Sequence, residues 1–134
     1  MKKKILLVDD EKDLILVMGK RIREWGYDLI EAPNGRRAVD AVKREKPDII
    51  VLDYIMPEMN GVTALEEIRK IDKVVPVIMF TAFPDEKSIE GTENLGVSAY
   101  VPKMSLFAST ESSLRAAISM AEKEIAAAAG RRKK

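Results

Sequence analysis

Ile5-Leu6-Leu7-Val8-Asp9-Asp10 sets four apolar residues directly against two carboxylates, and the same layout returns in Ile49-Ile50-Val51-Leu52-Asp53. It recurs with a hydroxyl in Phe80-Thr81-Ala82, closing the run 74–80, and with an ammonium in Val101-Pro102-Lys103, closing the run 99–101. Runs this short and this solidly apolar read as strands buried on both faces. Helical patterns lie between them, so the chain repeats strand and helix, and a parallel sheet follows. Ligands of such sheets bind outside the carboxyl ends of the strands. One edge of one sheet then gathers three carboxylates, a hydroxyl and an ammonium, the makings of a small metal-and-phosphoryl site.

Outward from that edge, Leu14, Met18, Ile22 and Trp25 recur at helical spacing, which predicts an amphipathic helix over 11 to about 25, stopped by Gly26. Residues 27–31 mix polar and apolar side chains and belong at a sheet edge. Asn34 is placed to cap a helix carrying Ala38, Ala41 and Val42 to about Glu45, and Pro47 opens the third strand. Helices follow over 62–71, with Leu65 and Ile68 inward, and over 86–94, capped by Asp85. The latter contains Ser88, Gly91 and Thr92, indifferent or poor helix formers, and is expected to be the least stable helix. Leu114, Ile118, Ala121 and Ile125 define a last helix that is expected to end at Gly130, after an approach through residues 105–110. Five strands and five helices in alternation give an α/β, flavodoxin-like (βα)5 three-layer sandwich with strand order 2-1-3-4-5.

At 134 residues this is one domain, 1–129, with a basic tail at 130–134. Absence of Cys excludes disulfides and thiolate chemistry, and absence of His removes the usual general base and zinc ligand. Four of the 23 basic residues sit at 131–134; the other 19 face 22 acidic ones, so residues 1–130 carry a net −3. No aromatic-basic platform or helix-turn-helix suggests direct nucleic-acid binding. No segment has the length or apolarity of a signal peptide or membrane span, and a cytoplasmic location is expected.

Taken singly, Asp9 and Asp10 read as helix-capping acids, Thr81 as a strand-end β-branched residue and Lys103 as a solvated ammonium. Taken together they read differently. First and third strands are neighbours in the expected order, so Asp9, Asp10 and Asp53 converge, and their repulsion invites a cation. With oxygen ligands only, Mg²⁺ is the natural choice. A hydroxyl and an ammonium beside them suit neutralisation of phosphoryl oxygens. An aspartate, ordinarily ionised at pH 7, attacks phosphorus without a general base.

Four pieces in order, with appropriate spacing, resemble the receiver domain of bacterial two-component response regulators: residues 5–11, 53–61, 76–82 and 96–103. The resemblance covers about 3–128. It implies that Asp53 accepts a phosphoryl group from a phosphohistidine on a sensor histidine kinase or histidine phosphotransfer protein. It implies Mg²⁺ bound directly by Asp10, Asp53 and the main-chain carbonyl of Ile55, with Asp9 reaching it through water. It implies that Lys103 pairs with the phosphoryl oxygens, that Thr81 hydrogen-bonds one of them, and that Tyr100 is the aromatic switch. Downstream protein targets, or a second copy in a phosphorylation-dependent homodimer, would read the face made by the fourth helix, fifth strand and last helix. The sequence departs from the family at Met104, where Pro usually follows the lysine. Ile55 and Phe83, apolar where the family's hydrolytic water passes, imply slow loss of the phosphoryl group. On this reading the chain catalyses only its own phosphorylation and dephosphorylation. The alternative is a Mg²⁺-dependent aspartate-nucleophile phosphohydrolase of the haloacid-dehalogenase type, which wants a second Asp where Ile55 stands.

Overall fold

The computed structural model of the chain describes residues 2–54, 56, 59–81, 91–103 and 107–132, the side chains of Glu93, Phe107, Ala108, Arg131 and Arg132 excepted. Its strands are β1 (Lys4–Val8), β2 (Asp28–Ala32), β3 (Ile49–Asp53), β4 (Val77–Thr81) and β5 (Val97–Pro102). All pair in parallel, in the order β2-β1-β3-β4-β5. Between them run α1 (Lys12–Glu24), α2 (Gly35–Glu45), α3 (Gly61–Ile71) and a C-terminal helix, Phe107–Arg132; a single 3-10 turn, Glu93–Leu95, precedes β5.

Strand side chains alternate between two faces, and in a sheet covered on both sides each face becomes a core. Leu6, Val8, Ile50, Leu52, Val77 and Met79 pack under α2 and α3. Ile5, Leu7, Ile49, Val51, Ile78 and Phe80 pack under α1 and the C-terminal helix. The three central strands are therefore buried nearly throughout, whereas β2 and β5 keep partly exposed residues, as edges do. The mixed polarity of residues 27–31 had that cause.

Local chemistry sets the boundaries. Asn34 accepts the Arg37 N–H through its side chain at 2.9 Å and opens α2; Asn60 does the same for α3 with Thr63. Gly26 closes α1 with a positive φ of 100°. Three expectations need correction. The fourth strand begins at Val77 rather than 74, because the Asp72 carboxylate accepts the N–H groups of Val74 and Val75, both at 3.0 Å, and holds them in a turn. The last helix begins at Phe107, so residues 107–110 belong to it rather than to its approach. It also continues through Gly130 to Arg132. Gly130 is not among the glycines with positive φ, and a glycine in helical φ weakens a helix by about 1 kcal/mol without ending it. The helix expected over 86–94 falls mostly outside the described residues; Gly91 and Thr92 are helical before the 3-10 turn.

Candidate metal and phosphoryl site

Parallel pairing brings the carboxyl ends of β1, β3 and β4 side by side. Val8 is level with Leu52 and Asp53 with Phe80, so Asp9 and Asp53 stand over neighbouring strands and Thr81 closes the next one. Asp9 and Asp53 are almost completely buried, while Asp10 is exposed. One carboxylate oxygen from each of the three lies within 4.8 Å of the others. The β3 end is fixed from below: Gly61 donates its N–H to the Tyr54 carbonyl at 2.8 Å. A Cβ on Gly61 would come within 2.6 Å of the Asp53 carbonyl oxygen, so only glycine lets α3 start this close to the end of β3.

Lys103, one residue past β5, returns to the centre of the group. Its main-chain N–H donates to the Thr81 carbonyl at 2.6 Å. Its ammonium lies 2.7 Å from Asp9 Oδ2, 3.2 Å from Asp53 Oδ2 and 3.3 Å from Glu11 Oε1. The Phe80 ring lies beneath it, 5.4 Å from Nζ to ring centre. Burial pushes the Asp9 carboxyl above its ordinary range; the Lys103 hydrogen bond and the Glu11 N–H at 3.0 Å only partly oppose this. Burial alone would lower the Lys103 ammonium, but the hydrogen bond it donates to Asp9 and the charges of Asp53 and Asp9 outweigh it and hold it above the ordinary lysine value. Negative charge is in excess here, on hard oxygen donors at the spacing of a small cation's ligands, so the residues fit a divalent ion.

Asp9, Asp10, Asp53 and Lys103 are thus brought together, and Thr81 is buried at the adjoining strand end. Ile55, Ala82, Phe83, Asp85 and Met104 lie outside the described residues. Tyr100 is not part of the cluster: its ring packs against the α2–α3 core and its hydroxyl lies 2.6 Å from Thr92 Oγ1. Sequence reasoning missed Glu11, although the acidic run Asp9-Asp10-Glu11 carries a signal for it. It also missed Arg69 and Thr92, for which no local pattern exists. Arg69 donates to the carbonyls of Leu95, Asp72, Val75 and Gly96 at 2.7–3.2 Å.

Fold and site define a doubly wound α/β domain with an acidic pocket at the strand ends. The response regulator receiver domain model matches residues 5–118, and the chain belongs to that family. It is 35% identical over 128 residues to the alkaline phosphatase synthesis transcriptional regulatory protein PhoP of Bacillus subtilis (strain 168), covering 95% of this chain and 52% of that protein. It is 33% identical over 103 residues to sporulation initiation phosphotransferase F of the same organism, covering 77% of this chain and 83% of that one. A chain of the CheX-CheY-BeF3-Mg²⁺ complex from Borrelia burgdorferi superposes with a TM-score of 0.78 at 26% identity, covering 87% of this chain and 86% of that chain. The chain therefore spans about half of some curated relatives and most of others. Receiver domains are signalling domains of two-component systems, and the phosphohydrolase alternative is not favoured. Among the described residues, no helix is long and apolar enough to cross a membrane.

Proposed function

We propose that Asp53 is the phosphoacceptor of a cytoplasmic switch, loaded from a phosphohistidine on a sensor histidine kinase or phosphotransfer protein. The observation that carries this is the placement of the Asp53 carboxylate: buried at the end of β3, grouped with Asp9 and Asp10, and 3.2 Å from the Lys103 ammonium. An Asp53 oxygen bonds to phosphorus as the donor's P–N bond breaks, and the electron pair returns to the imidazole nitrogen, which takes up a proton. Lys103 exchanges part of its contact with Asp9 and Asp53 for the incoming oxygens, and the Thr81 hydroxyl donates to one of them. Asp10 and Asp53, with the Ile55 carbonyl and Asp9 through water, would hold Mg²⁺, which when bound neutralises charge on the transferring group.

Tyr100 is the element whose position changes with that event, and a protein partner or a second copy of the chain would read the face it shares with β5 and the C-terminal helix. The domain proposed runs over 1–129, with the basic residues beyond it as a tail. Intact-mass spectrometry after incubation with Mg²⁺ and acetyl phosphate tests the acceptor. An adduct of about 80 Da on the wild type, labile to hydroxylamine and missing from Asp53→Asn, is the expected result. An equal adduct on both chains would remove Asp53 from this role. The apolar Ile55 and Phe83 lead us to expect slow decay, and a half-life of seconds in Mg²⁺ would refute that part.

A further inference from the structure

Glu11 stands at the N-cap of α1, yet its side chain makes no capping hydrogen bond. A side chain at this position ordinarily serves the helix's free N–H groups. Here the carboxylate is turned onto Lys103 instead, with Oε1 3.3 Å from Nζ. The backbone beneath it is tied on both sides. Its N–H donates to Asp9 Oδ1 at 3.0 Å and its carbonyl accepts the Ile15 N–H at 3.1 Å.

Depth separates Glu11 from the residues it faces. The side chains of Asp9 and Asp53 are 0% and 4% exposed, that of Lys103 13% and that of Glu11 63%. Asp53 is therefore at the floor of the pocket, Glu11 at its rim, and the ammonium between them. A group leaving phosphorus in line departs on the side away from the attacking Asp53 oxygen, which is the side open to water. The Glu11 charge stands on that side.

The charge count gives the sign of its effect. Among the described residues, four carboxylates (Asp9, Asp10, Asp53 and Glu11) are grouped with one ammonium, a net −3 that a divalent ion brings to −1. Without Glu11 that remainder is zero. An acyl phosphate arrives as a dianion. As the Asp53 oxygen bonds to phosphorus, the electron pair of the broken P–O bond leaves past the rim on a carboxylate. A P–N donor breaks differently: the nitrogen keeps the pair, takes up a proton and leaves with no negative charge. A carboxylate at the rim opposes the first departure and not the second.

We propose that Glu11 is a specificity-determining residue: its carboxylate at the rim sets the pocket against acyl-phosphate donors relative to donors whose phosphorus sits on nitrogen. The proposal rests on the reading of Asp53 as phosphoacceptor.

The test incubates the full chain with acetyl phosphate or with phosphoramidate, in Mg²⁺ that saturates each variant, and times adduct formation by intact-mass spectrometry. At neutral pH acetyl phosphate is a dianion, whereas phosphoramidate, a zwitterion, carries one net negative charge. The ratio of the two rates therefore reads the rim charge, and a general loss of activity cancels from it. Glu11→Gln should raise the ratio of acetyl phosphate to phosphoramidate about three- to tenfold, the range for one unit charge felt across a partly solvated rim. Glu11→Asp, which keeps the charge, should leave the ratio near the wild-type value. Added salt should lift the wild-type ratio toward that of Glu11→Gln, because the rim charge is exposed and screened. A cation reads the same charge with the opposite sign, so calorimetric Mg²⁺ binding should weaken about threefold in Glu11→Gln. An unchanged donor ratio in Glu11→Gln overturns the proposal. So does an unchanged Mg²⁺ affinity, which would show that the pocket does not feel the rim. Absence of an adduct on the wild type from both donors would instead overturn Asp53 as acceptor, and the proposal with it.

Discussion

The two ends of the sheet treat charge in opposite ways. At the amino end, polar groups are answered by the backbone. Asp48 accepts the Lys4 N–H at 2.8 Å, Asp72 accepts two N–H groups, and Arg69 spreads its guanidinium over four carbonyls. At the carboxyl end, Asp9, Asp53 and Glu11 crowd around one ammonium, Lys103, and Asp10 stands beside the other two aspartates. Arg69 and Asp72 close off strand starts and stabilise the fold. The carboxyl end does the reverse: burial disfavours the Asp9 charge, and one cation cannot offset four carboxylates. Folding does not require such an arrangement, so its explanation lies in what binds there.

The sharpest way to break this contrast is at Arg69. Arg69→Met strands four carbonyls and should remove about 3 kcal/mol from the unfolding free energy, read by urea denaturation. A loss below about 0.5 kcal/mol would mean that the amino end is no more structural than the other. Asp9→Asn should act in the opposite sense and raise metal-free stability by about 1 kcal/mol at pH 7. The sign follows from the raised carboxyl: the folded state holds its proton more tightly than the unfolded state, so ionisation weakens the fold as pH rises from about 3.8 through the folded value. The gain should therefore vanish in acid. Saturating Mg²⁺ should reverse the order, because the aspartate chain then gains stability from binding. A destabilised Asp9→Asn chain in the absence of metal would contradict the picture of excess charge.

The smallest effect concerns Lys103, whose ammonium is held above the ordinary 10.5. Its contribution should be fully present below that value and fade as pH rises through the folded one. The stability difference between wild type and Lys103→Met should accordingly stay constant from neutrality to about pH 10 and shrink above it. A difference that shrinks already near neutral pH would place the ammonium in the wrong surroundings.

The features legible in the sequence were those with local causes. Solid apolar runs marked β1 and β3, the mixed run at 27–31 marked an edge, and Asn34 marked a helix start, because each depends on residues within a few positions. The acidic cluster was legible for a different reason: its members sit at the ends of recognisable strands, and the strand order brings those ends together. Gly130 misled because glycine ends a helix only by taking positive φ, as Gly26 does and Gly130 does not. Val74 and Val75 have strand-forming side chains, yet the Asp72 carboxylate captures their N–H groups first. Arg69 and Thr92 were invisible because their partners lie up to 27 and 8 residues away on other elements, and a lone arginine or threonine announces nothing.

Asp9, Asp53 and Lys103 come from strand ends separated by more than forty residues each, and the three do not meet until β1, β3, β4 and β5 are in register. The pocket is therefore a report on the completeness of folding. A chain halted with its first half formed would own every carboxylate of the site and no ammonium to face them. Such a chain, newly made or partly unravelled at the β5 edge, stays mute, because the chemistry and the finished sheet arrive together.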